Sequence, residues 1–130
     1  MQRRHIASTA LAGTVLAALP VAAEAAGRVE NIVFSAKDPG HWAGVETLHV
    51  PDTSVVDGVL TVKTPHPMSP AHYIVSHTVV LAGGKFLDRK TFTPADEPVS
   101  THTLPVGYKG KLVVTSTCNL HDFWVKPVTV

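Results

Sequence analysis

Cysteine is nearly absent from this chain, whose 130 residues include a single one, Cys118. A lone cysteine excludes a disulfide within the chain. Strong charge of one sign is also absent: the formal net charge is +1, so nothing in the charge balance indicates binding to nucleic acid or to an anionic membrane. Helical periodicity and internal repeats are missing as well, which disfavours helical and repeat architectures. The size and the 45% hydrophobic content are those of one ordinary domain.

The amino-terminal residues differ from the rest of the chain. Two adjacent arginines, Arg3 and Arg4, precede an apolar stretch that ends in a small-x-small cleavage pattern, Ala23-Glu24-Ala25. This pattern predicts an export signal over residues 1–25 and one domain over residues 26–130, delivered to the periplasm. The paired arginines resemble a twin-arginine signal, which carries folded and often cofactor-loaded proteins, and an ordinary Sec signal is the alternative. An uncleaved anchor is disfavoured because the stretch is rich in small residues.

The predicted destination limits the role of Cys118. In an oxidising compartment a structural cysteine is normally paired, and a single cysteine has no partner within its own chain. Cys118 must therefore be buried and inert, paired between two chains, or bound to a metal.

Short runs rich in Val, Ile, Thr and aromatic residues alternate with Pro and Gly along the rest of the chain. Strands at this spacing predict an all-β sandwich or barrel, with almost no helix beyond a turn or two. The segment Ala-Gly-Gly-Lys at 82–85 is predicted to be a turn between two strands. The predicted strand regions are 31–36, 58–64, 72–82, 85–93, 100–106, 111–118 and 123–130.

Histidine is abundant, with eight in the chain, and several lie beside prolines. Prolines place these histidines on loops or strand ends, where a β-scaffold usually carries its chemistry. His66 and His72 are separated by a proline-rich stretch, and His121 follows Cys118 by three residues. A Cys-x-x-His turn lets a thiolate and an imidazole reach one metal ion from a single loop. Alone, such a turn is a weak signal.

Three motifs taken together resemble the iron site of the superoxide reductases, the desulfoferrodoxin and neelaredoxin family. The motifs are His49-Val-Pro51, His66-Pro-Met-Ser-Pro-Ala-His-Tyr-Ile74 and Cys118-Asn-Leu-His121, in the family's order and at similar separations. The resemblance implies an immunoglobulin-like β-sandwich of about seven strands that holds a mononuclear iron. It also implies the metal ligands, with a histidine set in the equatorial positions and a cysteine in the axial one: His49, His66, His72 and His121, and Cys118.

The resemblance implies an enzyme that reduces superoxide to hydrogen peroxide by one electron, with iron alternating between Fe2+ and Fe3+. Imidazoles suit Fe2+, and a thiolate opposite the open position donates electron density to the metal. Glu46, His49 and Cys118 are the implied catalytic residues, and backbone N–H groups of Asn119 and Leu120 are expected near the sulfur. A separate, unidentified protein would donate the electron, and a homo-oligomer is expected by analogy. No membrane partner is expected once the signal is removed.

The sequence departs from the family pattern at the first motif. The family usually has Glu-Lys before His-Val-Pro, whereas here Leu48 takes the place of the lysine and Glu46 is displaced by one residue. Loss of a nearby cation should slow capture of the superoxide anion unless another residue, such as Lys37 or Lys63, replaces it. A second departure is that the chain lacks the cysteines of the rubredoxin-like iron that some members carry.

Simpler interpretations exist for each of these residues. Cys118 also fits a small buried hydrophobic residue at a strand end, and His66 and His72 also fit exposed loop positions. His49 is the least secure ligand because its sequence context is broken.

The remaining histidines and the tryptophans are expected to be structural. His77 is predicted to lie within a strand, on the same face as Tyr73, Val75 and Val79, as a core or sheet-surface residue. His41 and His102 match no motif and are predicted to be exposed. The two tryptophans, Trp42 and Trp124, are predicted to be packing residues, and Trp124 is close enough to the Cys-x-x-His turn to shield the metal.

Two other functions compete with a reductase. A cupredoxin is an exported β-sandwich electron carrier with Cys and His ligands on one loop. It would need an axial methionine soon after His121, yet the chain's two methionines are Met1 and Met68. The second alternative is a protein that binds iron with little turnover, which the presence of Leu48 favours.

Overall fold

The computed structural model describes residues 31–130, and the predicted export signal lies outside this range. Helix within these residues is limited to one turn, α1 (Glu46–His49), and two 3-10 turns at Gly40–Trp42 and Ala82–Gly84. No helix among residues 31–130 is long and apolar enough to cross a membrane. The strands are β1 (Val33–Phe34), β2 (Asp52–Val56), β3 (Val59–Lys63), β4 (Ile74–Leu81), β5 (Lys85–Thr91), β6 (Val99–Thr103), β7 (Lys111–Cys118) and β8 (Asp122–Thr129).

The eight strands form two sheets, so the prediction of an all-β sandwich is confirmed. One sheet has five strands in the order β1-β8-β7-β4-β5, and the other has three in the order β2-β3-β6. Neighbouring strands are antiparallel except β1 and β8, which are parallel. Each of the seven predicted regions overlaps a strand, and the predicted turn at 82–85 is confirmed as the 3-10 connection between β4 and β5.

The strand that the sequence did not predict is β2. It forms a hairpin with β3 through Asp57 and Gly58, whose φ angles are 49° and 74°. Positive φ at both central residues is the mark of a type I′ turn, and Asp-Gly is among the strongest short-range hairpin signals. The strand was missed because none of its side chains is fully buried, so it lacks a distinct apolar run.

The core lies between the two sheets and extends to the end of β7. Alternate side chains of β7 point inward, so that Leu112, Val114, Ser116 and Cys118 are all buried. A fully buried Leu or Val contributes about 1.5–3 kcal/mol, which fixes the register of this strand. The same alternation that buries the aliphatic side chains therefore aims the Cys118 sulfur inward. The aliphatic part of the core consists of Leu60, Val62, Val79, Leu81, Leu104, Leu112 and Val114.

A bulge at the start of β4 changes which of its side chains face the core. Ile74 pairs with Cys118, but Ser76 pairs with Thr117, so Val75 has no counterpart on β7. A bulge of this kind shifts the alternation by one residue. Ile74 and His77 are both fully buried. The prediction that His77 shares a face with Val75 is therefore wrong.

Candidate metal centre

Five side chains converge at the end of the sandwich where β3 ends, β4 begins and β7 turns into β8. They are His49, His66, His72, Cys118 and His121, and their potential ligand atoms all lie within 4.8 Å of one another. The helical turn α1 ends at His49, and Cys118 is the last residue of β7. The other three histidines are on the connections beside β3, β4 and β8. The structure thus brings together all five ligands that the sequence resemblance implied.

The distances between these atoms suit a single metal ion. The Nε2 atoms of His66 and His72 are 3.1 Å apart, and His72 Nε2 is 3.0 Å from His121 Nδ1. Two nitrogens at right angles about a metal, each at the usual distance of about 2.1 Å, are about 3.0 Å apart. Cys118 Sγ is 3.9 Å from His66 Nε2 and 3.6 Å from His121 Nδ1. Soft thiolate and imidazole donors of this kind suit a transition metal.

His49 provides independent evidence for a metal. Its Nδ1–H donates to the Val45 carbonyl at 2.7 Å, across α1, which leaves Nε2 as an acceptor facing the other four side chains. His49 is 2% exposed, and its Nε2 has no hydrogen-bond partner among residues 31–130. An unsatisfied buried polar atom costs about 1–3 kcal/mol. A metal ion at the centre would satisfy it.

Two further hydrogen bonds orient the rings. His66 Nδ1–H donates to the carbonyl of Pro67, which leaves its Nε2 free to face the cluster. His121 instead presents Nδ1 to the cluster, while its own carbonyl accepts a hydrogen bond from Trp124 Nε1–H at 2.9 Å. The contact with Pro67 fixes the tautomer and ring direction of His66, whereas the contact with Trp124 holds the backbone of His121 in place.

The electrostatics keep the imidazoles in the form that binds metal. Burial, together with the neighbouring histidines, lowers the pKa of His66 to about 4. Burial is also the main cause of the lowered pKa values of His49 and His121. A neutral imidazole offers a lone pair, whereas a protonated one repels a cation. These histidines are therefore ready to bind a metal at neutral pH.

Asn119 fastens the cysteine loop to the segment that carries His72. Its side-chain oxygen accepts from the Tyr73 N–H at 2.9 Å, and its amide donates to the Ala71 carbonyl at 3.0 Å. The backbone N–H of Asn119 donates to the Tyr73 carbonyl at 3.2 Å. The expectation that this N–H hydrogen-bonds the sulfur is therefore wrong, because the carbonyl takes it.

Apolar and aromatic side chains surround the centre. Cys118 is 3% exposed and packs with Ile74, Phe92 and Met68. Met68 precedes His121 in the chain, so it is not the axial methionine that a cupredoxin would have after that histidine. Its sulfur accepts a hydrogen bond from the Ile74 N–H at 3.3 Å. The sulfur of Cys118 therefore lies on the side of the centre from which solvent is excluded.

Both tryptophans pack as predicted, and both touch ligands. Trp124 is fully buried, and its ring is stacked on His49 with centroids 5.4 Å apart. Trp42 meets His121 edge-to-face at 4.5 Å and donates its Nε1–H to Asp122 at 2.9 Å. These contacts restrict the movement of two of the five candidate ligands.

The remaining histidines have mixed outcomes. His41 is exposed, as predicted, and its ring lies 4.6 Å from that of Trp42. His77 is a buried histidine with both ring nitrogens hydrogen-bonded, which confirms its structural assignment. The prediction that His102 is exposed is wrong, because it is 1% exposed. It was missed because β6 buries Ser100, His102 and no large apolar residue, so its inward face looks polar in the sequence.

The first motif places its atypical residues around α1. Leu48 is 46% exposed, immediately before the buried His49. The carboxylate of Glu46 accepts from the Gly44 N–H at 2.6 Å. Glu46 also lines a cleft of about 250 Å³ with Lys126, a cation that sequence reasoning did not single out, and none of the five candidate ligands lines this cleft. Lys37 and Lys63 are both exposed.

Comparison with known proteins agrees with this geometry. The family model described as desulfoferrodoxin matches residues 35–127. A curated superoxide reductase from Pyrococcus horikoshii is 31% identical over 106 residues, which cover 68% of this chain and 90% of the relative. A solved variant of the superoxide reductase (neelaredoxin) from Ignicoccus hospitalis superposes with a TM-score of 0.68 at 24% identity, covering 75% of this chain and 92% of that one. A solved variant of the superoxide reductase (neelaredoxin) from Archaeoglobus fulgidus superposes with a TM-score of 0.55 at 25% identity, covering 65% of this chain and 89% of that one. The chain belongs to the desulfoferrodoxin family.

Proposed function

We propose that this protein is a superoxide reductase, an enzyme that converts superoxide to hydrogen peroxide by one-electron reduction. The observation that carries the proposal is the convergence of four imidazoles and one thiolate within 4.8 Å, including a buried His49 nitrogen with no partner. Family membership supports it, because the curated relative from Pyrococcus horikoshii is a superoxide reductase.

The five side chains would hold one mononuclear iron through His49, His66, His72, His121 and Cys118. An iron bound there, alternating between Fe2+ and Fe3+, would supply the electron that superoxide receives. The protein supplies three imidazoles that favour the neutral form, since burial lowers the pKa values of His49, His66 and His121. It also supplies a thiolate kept from solvent by the packing of Ile74 and Phe92 around Cys118.

Uneven exposure of the ligands defines the side from which a substrate approaches. Cys118, His49 and His66 are buried, whereas His72 and His121 are partly exposed. Solvent therefore reaches the centre from the side of His72 and His121 and not from the side of the Cys118 sulfur. A small anion such as superoxide, and the two protons that the reaction consumes, arrive by the same side.

The role of Glu46 in catalysis stays a prediction. Its carboxylate is hydrogen-bonded to the Gly44 N–H in the structure, so it must leave that bond before it can approach the centre. Replacement by glutamine retains an acceptor for Gly44 but removes the charge. If superoxide turnover and its pH profile are the same in Glu46→Gln as in the wild type, Glu46 has no part in catalysis.

Electron supply, assembly and export complete the proposal. The single cysteine does not permit a second, four-cysteine iron within these 130 residues, so a separate donor must reduce the centre. A homo-oligomer and periplasmic export by the twin-arginine route through residues 1–25 are part of the proposal. Cell fractionation, the mass of the processed chain and its sedimentation test these points directly.

The deciding experiment combines metal analysis with product yield. Protein isolated anaerobically should contain about one iron per chain, and the reduced protein should form one peroxide for each superoxide consumed, with no dioxygen. A peroxide yield of one for every two superoxide ions would instead indicate dismutation. Copper in place of iron would favour an electron carrier. Iron that superoxide oxidises only slowly would indicate a metal-binding protein with little turnover.

A further inference from the structure

A second group of polar side chains runs through the core, separate from the metal ligands. It begins at Asp88 on β5, whose side chain is 55% exposed, and continues inward through His102, which is fully buried. Four further residues extend it from strand to strand, ending close to the ligand-bearing segments. In order, the residues are Asp88, His102, Ser100, His77, Thr64 and Ser116, and we call this set the inter-sheet network.

All five links of the inter-sheet network are short hydrogen bonds. The Asp88–His102 link and the two links of Ser100, to His102 and to His77, are each 2.8 Å. The two links of Thr64 Oγ1, to His77 Nε2 and to Ser116 Oγ, are each 2.7 Å. The network crosses from one sheet to the other several times, because β3 and β6 belong to one sheet and β4, β5 and β7 to the other.

The inner end of the network adjoins the metal centre through the backbone. Ser116 is two residues before Cys118 on the same inward face of β7. Thr64 is two residues before His66, and the Thr64 carbonyl accepts the His66 N–H at 2.8 Å. Two of the five ligands are thus carried by segments that the network holds.

Each link must have one donor and one acceptor, which leaves two possible arrangements of the hydrogens. Burial lowers the pKa of His77 to about 4, so this ring is neutral near pH 7, with one donor and one acceptor nitrogen. If Asp88 accepts from a neutral His102, every bond points toward Asp88: Ser100 donates to His102 Nε2, and His77 carries its hydrogen on Nδ1.

One proton added at the outer end reverses the inner bonds. A doubly protonated His102 donates to both Asp88 and Ser100, so the Ser100 hydroxyl must donate to His77. His77 then carries its hydrogen on Nε2 and donates to Thr64, which in turn donates to Ser116. His77 changes tautomer without changing charge, and the hydroxyl of Ser116 changes from donor to acceptor in its bond with Thr64.

We infer that the inter-sheet network is a proton-coupled positioning device for the metal centre, in which protonation of the exposed Asp88–His102 end sets the hydrogen-bond direction as far as Ser116 and Thr64. Its members are positioning residues, because none is among the five converging side chains. The charged or titratable groups that face His102 are Asp88 from β5 and His77 from β4. Its register partner on β3 is the apolar Leu60, and the nearby Arg89 donates to Thr78 instead.

The inference rests on the proposed function only in naming the metal, and its first test does not require superoxide activity. The probe is the full chain, labelled with 15N at histidine and loaded with diamagnetic zinc, observed by NMR during an acid titration. At high pH His77 should carry its hydrogen on Nδ1. As the Asp88–His102 pair gains a proton, His77 should switch to Nε2 at the same midpoint. A His77 ring that keeps one tautomer throughout would overturn the inference.

An exposed variant tests the same point without disturbing the core. Asp88→Asn removes the charge but keeps an acceptor for His102, so the tautomer switch of His77 should move to lower pH. Asp57→Asn is the matched control: it makes the same change in charge at the β2–β3 turn, where Asn-Gly is as suitable as Asp-Gly. Its switch should match the wild type. A switch that fails to move in Asp88→Asn, or moves equally in both variants, would contradict the inference.

The link to the centre is tested with iron in the site. The charge-transfer absorption of the Cys118 thiolate to oxidised iron should shift in step with the His77 switch, because the Ser116 hydroxyl reorients two residues away. Ser116→Ala should retain the His77 switch but lose the accompanying shift of the band. If the wild-type band is indifferent to the switch, the network does not act on the centre. Loss of superoxide activity alone would bear on the proposed function and not on this inference.

Discussion

The molecule contains two groups of buried histidines with opposite hydrogen-bonding states. In the inter-sheet network, both ring nitrogens of His77 and of His102 have partners at 2.7–2.8 Å. In the metal centre, ring nitrogens point at one another, and His49 Nε2 has no hydrogen-bond partner within the described part of the chain. Burial does not explain the difference, because His49 is 2% exposed and His77 is 0% exposed.

The difference separates a structural histidine from a metal ligand. Buried polar atoms in proteins are almost always satisfied, so an unsatisfied one indicates a missing partner. In the inter-sheet network, the histidine nitrogens are hydrogen-bonded to hydroxyl and carboxylate groups of the chain. In the metal centre, ring nitrogens lie about 3 Å from one another, the separation expected of two ligands of one metal ion. Burial and histidine count alone would not have distinguished the two groups.

The largest expected effect comes from removing the thiolate. Cys118→Ser should abolish the thiolate-to-iron absorption of the oxidised protein and lower superoxide turnover by more than the roughly 100-fold that loss of an outer partner costs. Absorption spectra and pulse-radiolysis rates provide the measurement. Ser116→Ala, two residues away on the same face of β7, should keep the absorption band. Retention of the band in Cys118→Ser would remove the cysteine from the centre.

A pair of matched substitutions separates the two histidine groups by stability. In metal-free protein, His77→Leu removes one hydrogen bond from each of the hydroxyls of Thr64 and Ser100, which should lower the free energy of unfolding by about 1–3 kcal/mol. His49→Leu removes a nitrogen that already lacks a partner and one hydrogen bond to the Val45 carbonyl, which still accepts from the Leu48 N–H, so the free energy of unfolding should fall less than in His77→Leu. Urea unfolding of the two variants measures this.

Iron supplies the control for that comparison. Added iron should stabilise His77→Leu, whose five ligands are intact, but should stabilise His49→Leu far less. Equal losses of stability in the two metal-free variants would show that the His49 nitrogen finds a partner in solution, and the contrast between the groups would fail.

The pH dependence of stability follows from His77. Its pKa is about 4 in the folded protein and about 6.5 when unfolded, so between these values the unfolded chain binds the extra proton. The stabilising contribution is complete above pH 6.5 and is lost as the pH falls toward 4, by about 3 kcal/mol. Urea unfolding of metal-free protein from pH 7 to pH 4 should show the decline, and His77→Leu should show a shallower one. Equal slopes would mean that His77 is not neutral in the fold.

The sequence predicted the metal centre better than it predicted the network. The five ligands lie in short motifs beside prolines, and the chemistry of Cys and His in such motifs is readable without coordinates. His102 matches no motif and is therefore predicted to be exposed, and its strand, Val-Ser-Thr-His-Thr, has no apolar residue on its buried face to indicate otherwise. A satisfied polar core has no periodic apolar signal, so only the packing of β6 against β4 and β5 reveals it.

Two local features of the fold, a bulge and a strand, also differ from what the hydrophobic pattern of the sequence predicts. The bulge at Val75 moves His77 to the face of Ile74, and nothing in an alternating run announces the extra residue. The hairpin of β2 and β3 did have a signal, because Asp57-Gly58 is a favoured type I′ pair, but the absence of buried side chains in β2 hid the strand. Turn chemistry was the better guide there than hydrophobicity.

The smallest expected effect concerns the capture of superoxide. Leu48→Lys adds a cation beside His49, at a position that is 46% exposed, and should raise the second-order rate of superoxide capture several-fold at low salt. The gain should shrink as salt is added, because the Debye length falls to about 10 Å at 0.1 M.

The matched control is Val56→Lys, which adds the same charge at a position that is 66% exposed. Val56 lies beside the β2–β3 turn, at the end of β2 that is farther from α1. If both variants gain equally, net charge alone steers the anion; if neither gains, another cation, such as Lys126 in the Glu46 cleft, already serves. A gain confined to Leu48→Lys would show that the residue beside His49 sets the rate at which the anion arrives.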